Sequence, residues 1–198
     1  MSEDTAASWD DRYRTQEAVP ERGPAPFLVE NIGLLPRRGH VLDAAMGAGR
    51  NALFLAEKGY TVTGIDISPV AVERCRTEAR LRRGVSIEAV CADLESYPLP
   101  GGAFDIVLVF YYLQRDLCPR LAAALRPAGI LVFETFTTAQ RACGWGPTRD
   151  DHLLLPGELR TLFPGTDELL YREGTVPSER GPKAVASLVA RIGSQGAS

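Results

Sequence analysis

Two carboxylates and two glycines form the most informative pattern in the sequence. Asp43 ends one short apolar run, Gly47 and Gly49 follow it, and Asp66 ends a second apolar run. Glycine adopts positive φ readily and lets a ligand approach the backbone closely. The free N–H groups that open the following helix favour a negatively charged ligand group. The pattern therefore predicts a strand, a turn, a helix and a second strand around a small-molecule site.

The position of Asp66 indicates what kind of small molecule this is. Asp66 follows Asp43 by 66 − 43 = 23 residues and ends the second predicted strand. A carboxylate placed there can accept hydrogen bonds from ribose hydroxyls. The sequence therefore predicts a nucleoside ligand.

Two nucleoside cofactors fit the glycine turn. Residues 47–52 match the dinucleotide fingerprint G-x-G-x-x-G/A, which leaves an NAD-dependent oxidoreductase as one alternative. Asp43 disfavours that alternative, because its charge would repel a pyrophosphate. S-adenosylmethionine has no phosphate and offers an ammonium, a sulfonium and a carboxylate. The charge of Asp43 favours this methyl donor.

Three segments resemble the motifs of class I S-adenosylmethionine-dependent methyltransferases, in the tellurite-resistance and thiopurine methyltransferase-like group. They are residues 41–43, 47–55 and 64–69. The usual family form is close to D-x-G-x-G-x-G-R-N, and Ala45 stands where its first glycine is commonly found. The resemblance covers nearly the whole chain. It implies a Rossmann-like α/β fold with a seven-stranded, mostly parallel sheet, one antiparallel strand and helices on both faces.

The resemblance also implies which residues contact the cofactor. Asp93 follows the third predicted strand, where the family accepts a hydrogen bond from the adenine amine, and Phe110 ends the fourth. Trp9 to Tyr13 resembles the family's N-terminal segment, which folds over the cofactor as a lid. The implied cofactor-binding residues are Asp43, Gly47, Gly49, Arg50, Asp66, Ile67, Ala92, Asp93, Leu94, Phe110, Trp9 and Tyr13.

The N-terminal segment has two interpretations. Ser8 and Asp11 form a capping-box pattern that places Trp9 and Tyr13 on one helix face. The two aromatic rings either form the lid or simply pack on the core. The proline-rich stretch 19–26 would be the hinge of a lid.

The whole chain is predicted to be one domain, with a lid and helix at 1–35, a core at 36–192 and a tail at 193–198. Ser68 is expected to cap a helix that Pro69 begins. The other expected elements are helices at 27–35, 69–82 and 115–125, strands at 85–91, 104–110 and 130–135, a turn at 126–129, a functional loop at 137–151 and a hairpin of strands 169–176 and 184–192.

Methyl transfer from a sulfonium displaces a neutral thioether, so the enzyme mainly positions and desolvates the acceptor. A soft (S, Se or Te) or anionic acceptor would need no general base. His40 is expected at the surface, at the strand end opposite the ligand, and His152 is expected in a solvated loop, so no base is named. Tyr111 and Tyr112 either line the acceptor site or pack under the next helix.

The composition limits the classes of binding partner that are expected. There are 22 basic and 25 acidic residues, with a net charge of -3, so no electrostatic footprint for nucleic acid is present. No apolar run reaches membrane length, and the four cysteines lack metal-site spacing, so neither a membrane partner nor a metal is expected. The sequence predicts a cytoplasmic methyltransferase with a small-molecule acceptor, and leaves its oligomeric state open. A non-catalytic S-adenosylmethionine-binding protein is the third alternative.

Overall fold

The computed structural model describes residues 6–15 and 23–193. Contacts divide the chain into two compact units, Met1–Pro98 and Leu99–Ser198. The predictions made for residues 19–22 of the hinge and 194–198 of the tail lie outside the described residues. The single-domain organisation stays a prediction.

The first unit contains three parallel strands, β1 (His40–Ala44), β2 (Thr61–Asp66) and β3 (Ile87–Cys91). After their first residues, β1 and β2 are buried throughout. Continuous burial of this kind is typical of parallel strands covered on both faces. Because the strands are parallel, their carboxyl ends lie at one edge of the sheet, where Asp43 and Asp66 are found.

Four α-helices belong to this unit: α1 (Ala6–Arg14), α2 (Pro26–Glu30), α3 (Arg50–Glu57) and α4 (Pro69–Arg80). The predicted cap of α4 is confirmed, since Ser68 Oγ accepts a hydrogen bond from Ala71 N at 3.1 Å. The capping-box prediction was wrong. Helix α1 already includes Ala6 and Ala7, both strong helix formers, so Ser8 lies within the helix.

The helix predicted over 27–35 is shorter than expected. It breaks at Asn31, whose side chain donates to Phe27 O at 2.9 Å, and a 3₁₀ turn follows at Ile32–Leu34. Asparagine competes in this way with regular helical hydrogen bonding, and it often ends a helix.

The second unit contains β4 (Phe104–Phe110), β5 (Leu125–Phe136), β6 (Thr166–Val176), β7 (Lys183–Ile192) and one α-helix, α5 (Cys118–Ala124). Strands β4 and β5 are parallel, and β7 is antiparallel to both β5 and β6. The turn predicted at 126–129 is an irregularity within β5: Phe104 pairs with Leu125, and Ile106 then pairs with Ile130.

The loop after β5 is not wholly irregular. It contains short 3₁₀ turns at Thr138–Cys143 and Asp150–His152, and another follows at Glu158–Thr161. The Arg115 guanidinium anchors this region, because it donates to both carboxylate oxygens of Glu158, at 2.6 and 3.0 Å, and to Leu153 O at 2.9 Å. The predicted helix at 115–125 begins as a 3₁₀ turn and becomes α5 at Cys118.

Hydrogen bonding joins the seven strands in the order β3-β2-β1-β4-β5-β7-β6. The predicted fold class is confirmed: the sheet has seven strands, is mostly parallel and has one antiparallel strand, β7. In the part of the chain that the structure describes, no helix has the length and apolar character needed to cross a membrane.

The turn after β1 has an unusual backbone. Ala45, which stands where the resembled family has glycine, adopts φ 57°. An L-residue in this left-handed region is strained by about 1 to 2 kcal/mol. Glycine would remove the strain. Its greater conformational entropy in the unfolded chain would, however, lower the free energy of unfolding by about 0.4 to 1 kcal/mol.

We therefore expect Ala45→Gly to raise the free energy of unfolding by about 0.5 kcal/mol, as measured by urea denaturation. Ala48→Gly is the matched control, because Ala48 lies in the same loop but not in the left-handed region. It should lower the free energy of unfolding by about 0.4 to 1 kcal/mol. Equal losses for the two variants would contradict the strain at Ala45.

Candidate functional site

Asp66 connects two segments at the carboxyl edge of the first unit. Its Oδ2 accepts a hydrogen bond from Gly47 N at 2.7 Å, and its Oδ1 accepts one from Ser68 N at 2.9 Å. Burial raises the pKa of the Asp66 carboxyl, and these N–H groups oppose the shift. Each carboxylate oxygen has about two acceptor sites, so ribose hydroxyls can bind Asp66 in addition to the backbone.

Asp43 is a buried carboxylate with one oxygen that accepts no hydrogen bond from the described residues. It is 1% exposed, and among the described residues no group donates a hydrogen bond to its Oδ2. Burial raises the pKa of Asp43 to about 7, while the N–H of Ala52 and the charge of Arg50 oppose the shift. Buried carboxylates normally have partners, so an unpartnered oxygen indicates a place for a cationic or N–H donor group of a ligand.

The two glycines of the turn have different neighbours. Gly47 (φ 58°) and Gly49 (φ 81°) are both left-handed. A Cβ at Gly47 would lie 2.3 Å from Tyr13 Oη, whereas one at Gly49 would lie 2.3 Å from Cys75 Sγ on α4. Glycine at 49 is therefore required by the packing of α3 against α4, and glycine at 47 by the close approach of α1.

Helix α1 lies over this edge of the unit. The rings of Trp9 and Tyr13 are 6.3 Å apart, and Tyr13 is buried. Asp10 is also buried; its Oδ1 accepts from Ser68 Oγ at 2.5 Å and from Val70 N at 3.3 Å. Asp10 is not among the residues predicted from the sequence, although its spacing of three residues from Tyr13 puts both on one helix face.

Arg50 and Asn51 open α3 just after the turn. Arg50 is half-buried, and its charge also opposes the burial-driven rise in the pKa of Tyr13. Asn51 Oδ1 accepts from Ala25 N at 2.8 Å, a buried bond that fixes the segment before α2. The sequence reasoning did not assign this role to Asn51, because nothing in the sequence paired it with Ala25.

The segment after β3 contributes both backbone groups and side chains to the candidate site. Ala92 N donates to Asp66 O at 3.0 Å, which brings Ala92 beside the Asp66 backbone, and Ile67 follows Asp66 directly. Asp93 is exposed and its Oδ1 accepts from Glu95 N at 2.9 Å, whereas Leu94 is buried. Asp93 thus shapes a local turn, and its carboxylate remains open to further donors.

The remaining predicted residues lie elsewhere. Phe110 belongs to the second unit, where it is buried and its ring lies 6.2 Å from that of Tyr111. His40 is half-buried rather than simply at the surface, because its Nε2 lies 2.9 Å from Thr63 Oγ1. Thr63 in turn donates to Glu88. His152 Nε2 lies 3.7 Å from an Asp151 carboxylate oxygen.

The thiols do not form a site. Among the described residues, no group of histidine, cysteine and acidic side chains could hold a metal ion. Cys75 and Cys118 are buried, and burial raises the pKa of the Cys75 thiol to about 12. Cys91, in contrast, is exposed.

Comparison with known proteins identifies similar methyltransferases. Residues 41–129 match the family described as "Methyltransferase domain". A trans-aconitate 2-methyltransferase of Paracidovorax citrulli is 35% identical over 130 residues, which are 62% of this chain and 47% of that protein. The chain spans about half the length of the curated relatives it matches.

Solved structures share the fold. A Burkholderia thailandensis 1,6-didemethyltoxoflavin-N1-methyltransferase, solved with 1,6-didemethyltoxoflavin and S-adenosylhomocysteine bound, is 20% identical with a TM-score of 0.72, covering 95% of this chain and 87% of that one. TehB from Haemophilus influenzae is 16% identical with a TM-score of 0.71, covering 92% and 66%. At these identities the likeness concerns the fold.

The raised pKa of Asp43 predicts a pH dependence of stability. The folded pKa of about 7 lies above the ordinary 3.8, so the folded state binds this proton more tightly. Stability from this group is therefore full at low pH and falls as pH rises. Between pH 5.5 and 7 the free energy of unfolding should fall by about 1 to 2 kcal/mol because of Asp43.

Urea denaturation of the ligand-free protein tests this. The side chain of Asp43→Asn does not ionise. The difference in pH dependence of the free energy of unfolding between the wild type and this variant therefore separates the effect of Asp43 from that of Asp66, whose pKa is also raised. If the free energy of unfolding changes with pH in the same way in both proteins, the pKa of Asp43 is not raised in the folded state.

Proposed function

We propose that this chain is an S-adenosylmethionine-dependent methyltransferase that acts on a small molecule. The observation that carries the proposal is the buried Asp43, whose unpartnered oxygen lies in the strand that leads into the Gly47 turn. The ammonium of S-adenosylmethionine fits this oxygen, because a buried carboxylate needs a cationic or hydrogen-bonding partner. A nucleotide pyrophosphate would not fit it.

The other residues of the edge have assigned roles in this proposal. Asp66 binds the ribose and holds the turn, while Ala92, Asp93 and Leu94 hold the adenine ring. Gly49, Arg50 and Ile67 shape the wall around the cofactor. The assignment of Phe110, which belongs to the second unit, stays a prediction. Helix α1 covers the cofactor with Trp9 and Tyr13.

The bound cofactor supplies an electrophilic methyl group on a sulfonium, and the chain's own residues orient it and exclude water. Burial of Asp43 and Asp66 places two carboxylates in a poorly hydrated site, where each interacts strongly with a cationic ligand. In-line displacement releases a neutral thioether, so positioning supplies most of the catalysis.

The identity of the acceptor is a finer part of the proposal. A soft (S, Se or Te) or anionic acceptor would need no base. The finer placement in the tellurite-resistance group is supported by the motif resemblance. Similar proteins are named for chemically different acceptors, such as trans-aconitate and 1,6-didemethyltoxoflavin.

The two other functions are disfavoured. An NAD-dependent oxidoreductase would place a pyrophosphate near Asp43, and its only support is the G-x-G-x-x-A match. A non-catalytic binding protein would share the same cofactor edge, and only turnover separates it from an enzyme. A single cytoplasmic domain remains the predicted setting.

Calorimetric titration tests the cofactor. S-adenosylmethionine and S-adenosylhomocysteine should bind the wild type, and NAD should not. Asp66→Ala should weaken binding by about 1.5 to 3 kcal/mol, the size expected for hydrogen bonds to a charged group. Binding of NAD in preference to S-adenosylmethionine would reject the proposal, and unchanged affinity in a folded Asp66→Ala would remove the ribose assignment.

Hydrogen exchange tests the lid. Protection of the segment around Trp9 and Tyr13 should rise when S-adenosylmethionine is added. Asp10→Ala removes the acceptor of two hydrogen bonds to the start of α4, so exchange in α1 should be about 5 to 30 times faster and cofactor binding weaker. Asp11→Ala is the matched control, because Asp11 is exposed and pairs with Arg14 on its own helix.

Asp11→Ala should match the wild type in both measurements. If protection around Trp9 is the same with and without cofactor, the lid assignment fails. If both substitutions loosen α1 equally, its docking does not depend on Asp10.

A further inference from the structure

The second unit contains its own buried polar cluster, at the carboxyl ends of β4 and β5. Tyr111 Oη donates to Glu134 Oε1 at 2.8 Å, and Lys183 Nζ donates to Tyr111 Oη at 2.5 Å. Ser187 Oγ donates to Glu134 Oε2 at 2.7 Å, and Arg172 Nη2 lies 3.4 Å from the same oxygen. Four side chains, from β6, from β7 and from the residue after β4, thus meet around the Glu134 carboxylate of β5.

Burial and charge within this cluster are uneven. Glu134 is 1% exposed and Lys183 is 3% exposed, whereas Tyr111 is half-buried. Two cationic side chains, Lys183 and Arg172, face the one carboxylate of Glu134. Tyr111 and Arg172 are the partly exposed members of the cluster, so a small molecule can approach it from their side, and the charges of Lys183, Arg172 and Glu134 sum to +1.

The backbone holds Tyr111 in this place. Tyr111 adopts φ 58°, a left-handed conformation that is uncommon for a bulky residue, and its N–H donates to Glu134 O at 2.8 Å. Such strain persists where the surrounding structure fixes it, and it is common at functional sites. Lys183 opens β7, which runs antiparallel to β5, so its ammonium also lies at the carboxyl end of β5.

A row of aromatic rings continues from the phenol. The ring of Phe136 lies 5.2 Å from that of Tyr111, and the ring of Trp145 lies 5.9 Å from that of Phe136. All three are half-buried. Trp145 is held by a hydrogen bond from its Nε1 to Pro182 O at 3.0 Å. This row gives a planar, apolar ligand a surface on which to stack.

We propose that this cluster binds the methyl acceptor as an oxyanion carried on a planar, apolar body. The inference rests on the proposed methyltransferase function and names its acceptor class. The Tyr111 hydroxyl hydrogen-bonds to the oxyanion, the charge of Lys183 favours the anion, and the body of the acceptor lies along Phe136 and Trp145. Glu134 keeps Ser187 and Arg172 as partners when the phenol turns to the acceptor.

The same geometry disfavours proton abstraction through Tyr111 to Glu134. Lys183 Nζ lies 3.8 Å from Glu134 Oε1, so a proton placed on Glu134 would remove the attraction between these two opposite charges. An acceptor that is already anionic needs no proton transfer: its oxygen forms a bond to the methyl carbon as the carbon–sulfur bond breaks, and the bonding pair stays on the neutral thioether.

The test uses 4-nitrophenolate and 4-nitroanisole, which share one planar body and differ in charge. Each probe is titrated calorimetrically with and without S-adenosylhomocysteine. The wild type should bind 4-nitrophenolate at least about tenfold more tightly than 4-nitroanisole, because one hydrogen bond to a charged group contributes about that factor. Tyr111→Phe keeps the ring and should reduce this preference to about twofold or less. Its affinity for S-adenosylhomocysteine should equal that of the wild type.

Tyr171→Phe is the matched control, because Tyr171 also donates to a carboxylate, that of Glu173, but on β6 and at the surface. It should keep the full preference. Trp145→Ala, at a half-exposed site, is a second variant that does not disturb the buried charges. It should weaken both probes by a similar factor and keep the preference for the anion.

Equal binding of the two probes by the wild type, or binding of neither, would overturn the inference, as would a Tyr111→Phe protein that keeps the preference. A Trp145→Ala protein with unchanged affinity for both probes would overturn the stacking surface. Failure of the wild type to bind S-adenosylhomocysteine would instead count against the proposed function, so the two failures are distinguishable.

Discussion

The two backbone hydrogen bonds that Asp66 accepts determine the arrangement of the first unit's ligand edge. Gly47 N and Ser68 N point at opposite oxygens of one buried carboxylate, so the turn after β1 and the start of α4 are fixed relative to each other. Ser68 then caps α4 with the same hydroxyl that donates to Asp10. The side chains of Asp66 and Ser68 together thus link the turn after β1, the helix cap and the docking of α1.

The repeated pattern of apolar strands ending in polar residues could be predicted from the sequence, and so could the fold. Strand β4 is a nearly continuous apolar run, and Ser68-Pro69 is a strong local signal for a helix start. These features are specified by residues within one short window. The placement of Asp43, Gly47 and Asp66 at one edge follows directly from the parallel arrangement of β1 and β2.

The contacts that could not be predicted join residues distant in sequence. Asp10 and Ser68 are far apart along the chain, as are Tyr111 and Lys183. Lys183 begins a strand and looks in the sequence like an exposed hairpin residue, yet it is buried because a carboxylate and a phenol compensate its charge. Hydrophobic periodicity predicts whether a residue is buried from its own type and its neighbours in sequence. The burial of a charged residue such as Lys183 depends instead on partners that only the tertiary structure brings together.

Two strands of the sheet are each followed by a non-glycine residue with positive φ. At one of these positions glycine could replace the residue, and at the other the side chain is needed. Ala45 follows β1 with φ 57°, and Tyr111 follows β4 with φ 58°. At Ala45 the side chain is only a methyl group, so glycine would satisfy the same turn. At Tyr111 glycine would relax the backbone but would also remove the phenol that receives Lys183 and donates to Glu134. The chain therefore keeps a bulky residue in a conformation that favours glycine, because the hydrogen bonds of its hydroxyl depend on that backbone geometry.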